Sequence, residues 1–309
     1  MKHVRLFPLL LAALLLSCEL LPIDEGTIVH VGIGLSYRGC DVQVLPATIN
    51  DAVEVSLALA QLFAGRAFSG ELLIQTGALD DDGLWMYEGG SSDGVPTKER
   101  ILERLGHWMS ALHVGDLLII TYSGHGMEDG SLVLAPPGEE GSIFLEGGSI
   151  DGSLLLGTDE LFTLLAPCKA SVLLILDSCY SGNFVQEEGS SISVVERRDI
   201  FGDAYRRFFT NAPYNRRVFV LSATSSDHTS SEPLGGDHTH GYFTGALLEA
   251  LGWECTQQAL VLKRPFISSD WLYQYILCHQ RIPTDGRFGL WYQHPQISGG
   301  PLDLVLVSR

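Results

Sequence analysis

Basic residues are scarce in this chain. There are 19 Lys and Arg against 37 Asp and Glu, a formal net charge of −18. A phosphate backbone is held by clustered Lys and Arg, so no nucleic-acid partner is expected, and a cationic peptide suits this surface better. Many of the carboxylates need do no more than keep the protein soluble. Charged residues of both signs make up only 18% of the chain and hydrophobic residues 46%, which excludes a disordered protein and leaves enough apolar surface for a sizeable core. None of the six cysteines (Cys18, Cys40, Cys168, Cys179, Cys255 and Cys278) is paired at CxxC spacing, so no structural zinc site is expected. Cys168, Cys255 and Cys278 sit in or beside apolar stretches, where free, buried thiols are expected; outside the cytoplasm, bridges involving these and Cys40 are the alternative. There is no internal repeat, and "GIG" near the start is too short for a nucleotide-binding fingerprint.

The first eighteen residues read as a leader. Lys2 and Arg5 form a positive segment, "LFPLLLAALLL" an apolar one too short to span a bilayer comfortably, and Ser17 precedes Cys18. "LLSC" resembles a bacterial lipobox, which implies lipidation at Cys18 and an exported protein anchored on the periplasmic or cell-surface side; ordinary secretion and a retained anchor are the alternatives. The expected organisation is a signal peptide over 1–18, a short linker over 19–26 and one domain over 27–309.

Beyond residue 26, strand and helix signals alternate. "TIVHVGIGLSY", "ELLIQTG", "DLLIITY", "SVLLILD" and "RVFVLSATS" read as strands, with "SLVLAP" as a short exposed one and "PLDLVLV" as the last. Between them "TINDAVEVSLALAQLFAG" reads as a helix capped by Thr48 or Asn50 and stopped at Gly65. "PTKERILERLGHWMSALHVG" starts at Pro96 and Thr97, and "TDELFTLLAP", "GYFTGALLEALG" and "SSDWLYQYILCHQ" follow, the last capped by Ser268 or Ser269. The pattern predicts an α/β fold, a mainly parallel sheet with helices on both faces. From Phe184 to Arg217 the periodicity fades, and a mobile loop with a short helix near Tyr205 to Phe209 is expected.

Two doubly apolar strands end in chemistry. "DLLIITY" runs into "SGHGM", placing His125 between glycines, and "SVLLILD" runs into "DSCYSG", placing Cys179 just past the strand. Ligands of open α/β sheets bind beyond the carboxyl ends of the strands. If the strands are neighbours, imidazole and thiol converge as nucleophilic catalysis requires: the thiolate attacks and the imidazole handles protons, including the one given to a leaving amine.

"YSGHGM" and "DSCYSG", 54 residues apart from His125 to Cys179, resemble the His and Cys motifs of the caspase-like peptidases. "TINDAVEVSLAL", "SATSSDHTSSE", "GYFTGALLEAL" and "QHPQISGGPLDLVLV" are similar, in order, to further family segments, so the resemblance runs from about Thr27 to Val307. It implies the caspase-like (caspase-hemoglobinase) fold. Asp177 before Ser178 and Cys179 matches the acidic variant of metacaspases and orthocaspases rather than the Gln of animal caspases. That implies an S1 pocket for Arg, then Lys, with walls at Asp177, Asp51 of "NDA" and Ser123, and an oxyanion site at the backbone N–H groups of Gly126 and Cys179. Carboxylates at a crevice mouth do attract guanidinium, in bidentate fashion. The plainer readings are a helix-dipole role for Asp51 and a turn role for Asp177.

The expected function is therefore a cysteine endopeptidase acting on peptides or proteins with exposed Arg or Lys. It is self-processing if the arginines at 197, 198, 206, 207, 216 and 217 are cut; a solvated charged loop is the alternative there. A silent caspase-fold lipoprotein that binds peptides, and acyl transfer by the same dyad, are the rival functions. No cofactor is expected to be required. Calcium dependence is doubtful, because the region after His125 lacks a dense acidic ladder and Asp159 and Glu160 match only part of the calcium pattern. The loop with His228, Asp237, His238 and His240 is expected to line a cleft or face water rather than hold a metal.

Overall fold

The computed structural model describes residues 26–75, 86–87, 90–94, 96–136, 141–179, 217–224, 230, 232, 239–280, 282–283, 290–291, 295–298 and 304–308. The leader with Cys18, the segment from Phe184 to Arg216 with its expected helix, and His228, Asp237 and His238 lie outside them.

The chain runs β1 (Ile28–Leu35), α1 (Ala47–Leu62), β2 (Phe68–Gln75), α2 (Lys98–Ala111), β3 (Leu117–Ser123), α3 (Thr158–Leu165), β4 (Ser171–Asp177), β5 (Val218–Ser222), α4 (Tyr242–Leu251), α5 (Ser269–His279) and β6 (Gln296–Ser298), with further short strands among and after them that lie outside the main sheet. Six strands form one sheet in the order β6-β5-β4-β3-β1-β2, parallel except for β6. Every residue of β1, β3 and β4 is buried, which is why these strands read as unbroken apolar runs.

Alternate side chains enter two separate cores. Val29, Val31, Leu118, Ile120, Val172 and Leu174 pack with Ile101 and Leu105 of α2 and Leu161 and Leu165 of α3. Leu117, Ile119, Leu173 and Ile175 point the other way, against Val55 and Leu59 of α1, Phe243 and Leu247 of α4 and Leu272 of α5. The two-residue period of a strand thus produces the two helical layers. From β1 the chain goes outward to β2, whereas from β3 it goes to β4 on the other side, so the topological switch lies between β1 and β3.

Several local expectations are corrected. α1 begins at Ala47 with Pro46 as its N-cap and no side-chain cap; Thr48 instead donates its hydroxyl to the carbonyls of Leu35 and Leu45. The strand in "SLVLAP", Leu132–Val133, is buried, because it pairs with Leu155–Leu156 and closes over the first core. "QHPQISGGPLDLVLV" makes two strands: β6 is the antiparallel sheet edge, and Val305–Ser308 pairs with Phe266–Ser268 outside the main sheet. Among the cysteines expected to be buried, Cys168 is, Cys255 is half-buried and Cys278 is exposed; all three are free thiols. Of the two serines considered as the cap of α5, Ser268 is the one that accepts a helix N–H, and Thr97, expected at the start of α2, is its N-cap and does the same. No helix among the described residues is long and apolar enough to cross a membrane.

Candidate active site

Strands β3 and β4 are neighbours in register, Ser123 opposite Asp177, so the turns that follow them emerge side by side. The turns touch. A Cβ at Gly126 would collide with the carbonyl oxygen of Cys179, so only glycine lets the histidine turn lie against the cysteine turn. The ladder bonds around Gly126 use the His125 carbonyl and the Met127 amide, which leaves the Gly126 N–H unspent in that ladder.

His125 is held on three sides. Its backbone N–H donates to Tyr37 Oη at 2.9 Å, its carbonyl accepts from Tyr122 Oη at 2.8 Å, and its ring lies 4.6 Å from the Tyr37 ring. The two tyrosine hydroxyls are 3.0 Å apart, and both reach the Val133 carbonyl. Tyr37 adopts φ 54°, a left-handed conformation costly for an aromatic residue; its N–H bond of 2.8 Å to Gln75 Oε1 pins it there. His125 Nε2 lies 2.8 Å from the Gln43 carbonyl. A carbonyl only accepts, so Nε2 carries the proton and the neutral ring keeps its lone pair on Nδ1. Burial pushes the His125 pKa down, partly offset by the Gln43 carbonyl. Burial pushes the Cys179 thiol up, and the Ser230 carbonyl, 3.8 Å from Sγ, offsets part of that. The resting pair is therefore thiol and neutral imidazole.

One turn deeper, carboxylates gather. Asp51 accepts from Ser123 Oγ at 2.6 Å, from the Gly241 N–H at 3.1 Å and from His240 Nδ1 at 3.0 Å. Asp177 accepts from Ser230 Oγ at 2.6 Å and from the N–H and hydroxyl of Thr244 at 3.1 and 2.8 Å. Gly241 separates the two: a Cβ there would run into the Asp177 carboxylate and press on that of Asp51. Asp177 is pushed up to about 6 by burial and by the Asp51 charge. Glu232, which accepts from the Ala47 N–H at the start of α1, is pushed up to about 7 by burial and by the charges of Asp51 and Asp177. Burial alone would lower His240, but Asp51, Cys255 and Glu54 together raise it to about 11. A small cavity opens among Asp51, Ser123, Asp177, Thr121 and Thr244 over an apolar floor that includes Ile33, Val55 and Leu247.

All six residues singled out from the sequence beyond the leader, His125, Gly126, Cys179, Asp51, Ser123 and Asp177, meet at this end of the sheet. The sequence did not reveal Tyr37, Gln43, Ser230, Glu232 or Thr244. Tyr37 carried one readable signal, an aromatic residue just past the first strand at the switch point; Gln43 acts through its carbonyl, which no side chain announces. His240 joins the site as the partner of Asp51. Of the residues considered for calcium, Glu160 is paired with Lys98 at 2.7 Å on the first turn of α3.

The family profile for peptidase C14, the caspase domain, matches residues 33–264. The chain belongs to the caspase domain family. A metacaspase-6 of Arabidopsis thaliana is 26% identical over 163 residues, 52% of this chain and 39% of the plant protein, so the chain spans about two fifths of that relative's length. Caspase-1 of Spodoptera frugiperda has the same fold, with a TM-score of 0.52 at 13% identity over 92% of this chain and 90% of the insect chain. A Geobacter sulfurreducens protein, GSU0716, superposes with a TM-score of 0.48 at 18% identity, over 90% of this chain and 94% of its own.

Proposed function

We propose that the protein is a cysteine endopeptidase that cleaves after Arg, and less readily Lys. The observation that carries the basic preference is a surplus of buried carboxylates: Asp51, Asp177 and Glu232 gather at the pocket, where His240 is bonded to Asp51 alone of the three. Asp177 has a raised pKa because it is buried beside Asp51, and Glu232 because it is buried near Asp51 and Asp177; an incoming guanidinium would relieve that repulsion. Seating it requires the hydroxyls of Ser230 and Thr244 to yield their bonds to Asp177.

In the chemistry we assign, His125 Nδ1 takes the thiol proton as Cys179 Sγ attacks the carbonyl carbon. The N–H groups of Gly126 and Cys179 receive the developing oxyanion, and the imidazolium returns the proton to the departing amine. Water then hydrolyses the thioester, with His125 again as base. Because both partners rest neutral, the proton moves with the attack rather than before it. No cofactor enters this scheme. We further propose that Cys18 is lipidated, that the exported protein is held at a membrane surface, and that it cuts its own arginine-rich segment.

The raised thiol pKa also favours one rival, a silent peptide-binding module. Fluorogenic peptides ending in Arg, Lys or Asp, assayed beside Cys179→Ala with and without calcium, separate the two. Cleavage after Arg that vanishes in the alanine variant is expected. Cleavage after Asp alone would overturn the pocket assignment, and binding without cleavage by a folded, reduced protein would favour the silent module.

A further inference from the structure

Next to Asp51 of the acidic pocket, three different ligand types converge. Glu54 comes from α1, His240 from the turn before α4, and Cys255 from the residue after the short strand Trp253–Glu254; one ligand atom of each lies within 4.8 Å of the others. Glu54 and His240 are 2% and 8% exposed, and Cys255 is a half-buried free thiol. His240 is the telling member. Its Nδ1 is bonded to Asp51 at 3.0 Å, while its fully buried Nε2 makes no hydrogen bond, with Glu54 Oε2 3.5 Å away. A histidine whose one nitrogen is fixed by a carboxylate while the other faces a thiol and a second carboxylate is arranged as metal-binding histidines are.

We propose that Glu54, His240 and Cys255 form a binding site for a zinc-class divalent ion, with Asp51 orienting His240 behind it. A sulfur, nitrogen and oxygen set selects zinc over calcium or magnesium, which want oxygen alone. Bonds of ~2.0–2.3 Å in a tetrahedral site place ligand atoms ~3.3–3.8 Å apart, so the three close up by about 1.5 Å at most. Three protein ligands leave the fourth position for water, and half-exposed Cys255 marks the way in. On binding, the Cys255 thiol and the Nε2–H of the His240 imidazolium each give a proton to solvent, and His240 then binds through the freed Nε2 lone pair, keeping Nδ1–H on Asp51. Thiolate and carboxylate then balance the dication. The ion would tie α1, the start of α4 and the Trp253 strand together at the wall of the pocket. The site stands whether or not the protein is a peptidase.

The test uses the full chain carrying Cys179→Ala, which removes the other thiol beside a histidine, reduced and freed of metal, and titrated with cobalt as the spectroscopic stand-in for zinc. One equivalent is expected to produce a thiolate-to-cobalt charge-transfer band that zinc abolishes by displacement. Cys255→Ser should remove the band, and Asp51→Asn should keep it while weakening affinity by about 10- to 100-fold. Absence of the band at saturating cobalt would overturn the proposal and leave His240 as a plain imidazolium between Asp51 and Glu54; a band that survives Cys255→Ser would do the same. Should that variant not fold, alkylation of the parent decides: zinc should slow modification of Cys255 at least tenfold relative to exposed Cys278, and equal rates would refute the site.

Discussion

Asp177 concentrates the opposing demands on this site. It lies at the last position of β4, accepts three hydrogen bonds and still has its pKa raised to about 6, because burial and the Asp51 charge outweigh those donors. Removing a buried partner of a charged substrate costs about 2–5 kcal/mol, so Asp177→Asn should lower kcat/KM for Arg peptides by roughly 30- to 4000-fold. The proposed Arg preference should also depend on pH. Asp177 and Glu232 are protonated below about 6 and 7, so the ratio of kcat/KM for Arg over neutral citrulline should fall as pH drops through that window. A ratio flat from pH 8 to 5 would remove these carboxylates from the S1 pocket. His30 gives a stability effect of opposite direction to theirs. It is fully buried against Thr121, and burial lowers it to about 3. Between that value and the usual 6.5 the unfolded chain binds the proton and the folded chain does not, so the His30 contribution is fully present above pH 6.5 and is lost as pH falls. Urea midpoints from pH 7 to 5 should show a steeper loss for the wild type than for His30→Gln, by up to about 1.4 kcal/mol per pH unit. The raised carboxylates act the other way: the folded state binds more protons than the unfolded, and stability is gained as pH falls.

Elements bring these residues together, and here sequence reading went furthest. The unbroken apolar runs of β1, β3 and β4 could be recognised because a strand buried on both faces has no polar positions to interrupt it. The residues after β3 and β4 followed as candidate site residues because such sheets bind at their carboxyl ends. Where the polarity pattern was weak, reading failed. β6 is three half-buried residues, "QIS", with no periodicity to announce it, and the Leu132–Val133 strand is covered by Leu154 and Leu156, a long-range contact that no local pattern encodes. Gln43 and Tyr37 were missed for the same reason, that their contacts with His125 are long-range: one acts by its backbone carbonyl, the other by a hydroxyl that accepts the His125 N–H and a ring that packs on the imidazole. The approach of the two turns gives the element-scale prediction. Gly126→Ala places a methyl group on the Cys179 carbonyl, and the turns must separate. Overpacking of this kind costs about 1–3 kcal/mol, and activity should fall more than tenfold while the protein still folds. Near wild-type kcat/KM in Gly126→Ala would mean that the turns do not need this contact.

At the scale of the molecule, the arginine-rich segment connects two strands that lie side by side. β4 and β5 pair in parallel from Val172 opposite Val218 to Leu176 opposite Ser222, and their side chains enter both cores. A cut between Phe184 and Arg217 therefore severs the chain without separating any paired strands. The N-terminal piece would carry β1 to β4 with His125 and Cys179. The C-terminal piece would carry β5, α4 and α5 with Ser230, Glu232, His240 and Thr244, so neither half holds the whole pocket. If self-processing occurs as proposed, the wild type should run as two fragments on a denaturing gel yet elute at the mass of the intact chain under native conditions, whereas Cys179→Ala should remain one polypeptide. N-terminal sequencing of the smaller fragment should place the new end directly after an arginine of that segment. Fragments that part under native conditions would show that pairing and shared cores do not suffice to hold the two halves. An uncut, fully active wild type would show that the pocket assembles without cleavage, and would leave the basic segment as a solvated loop.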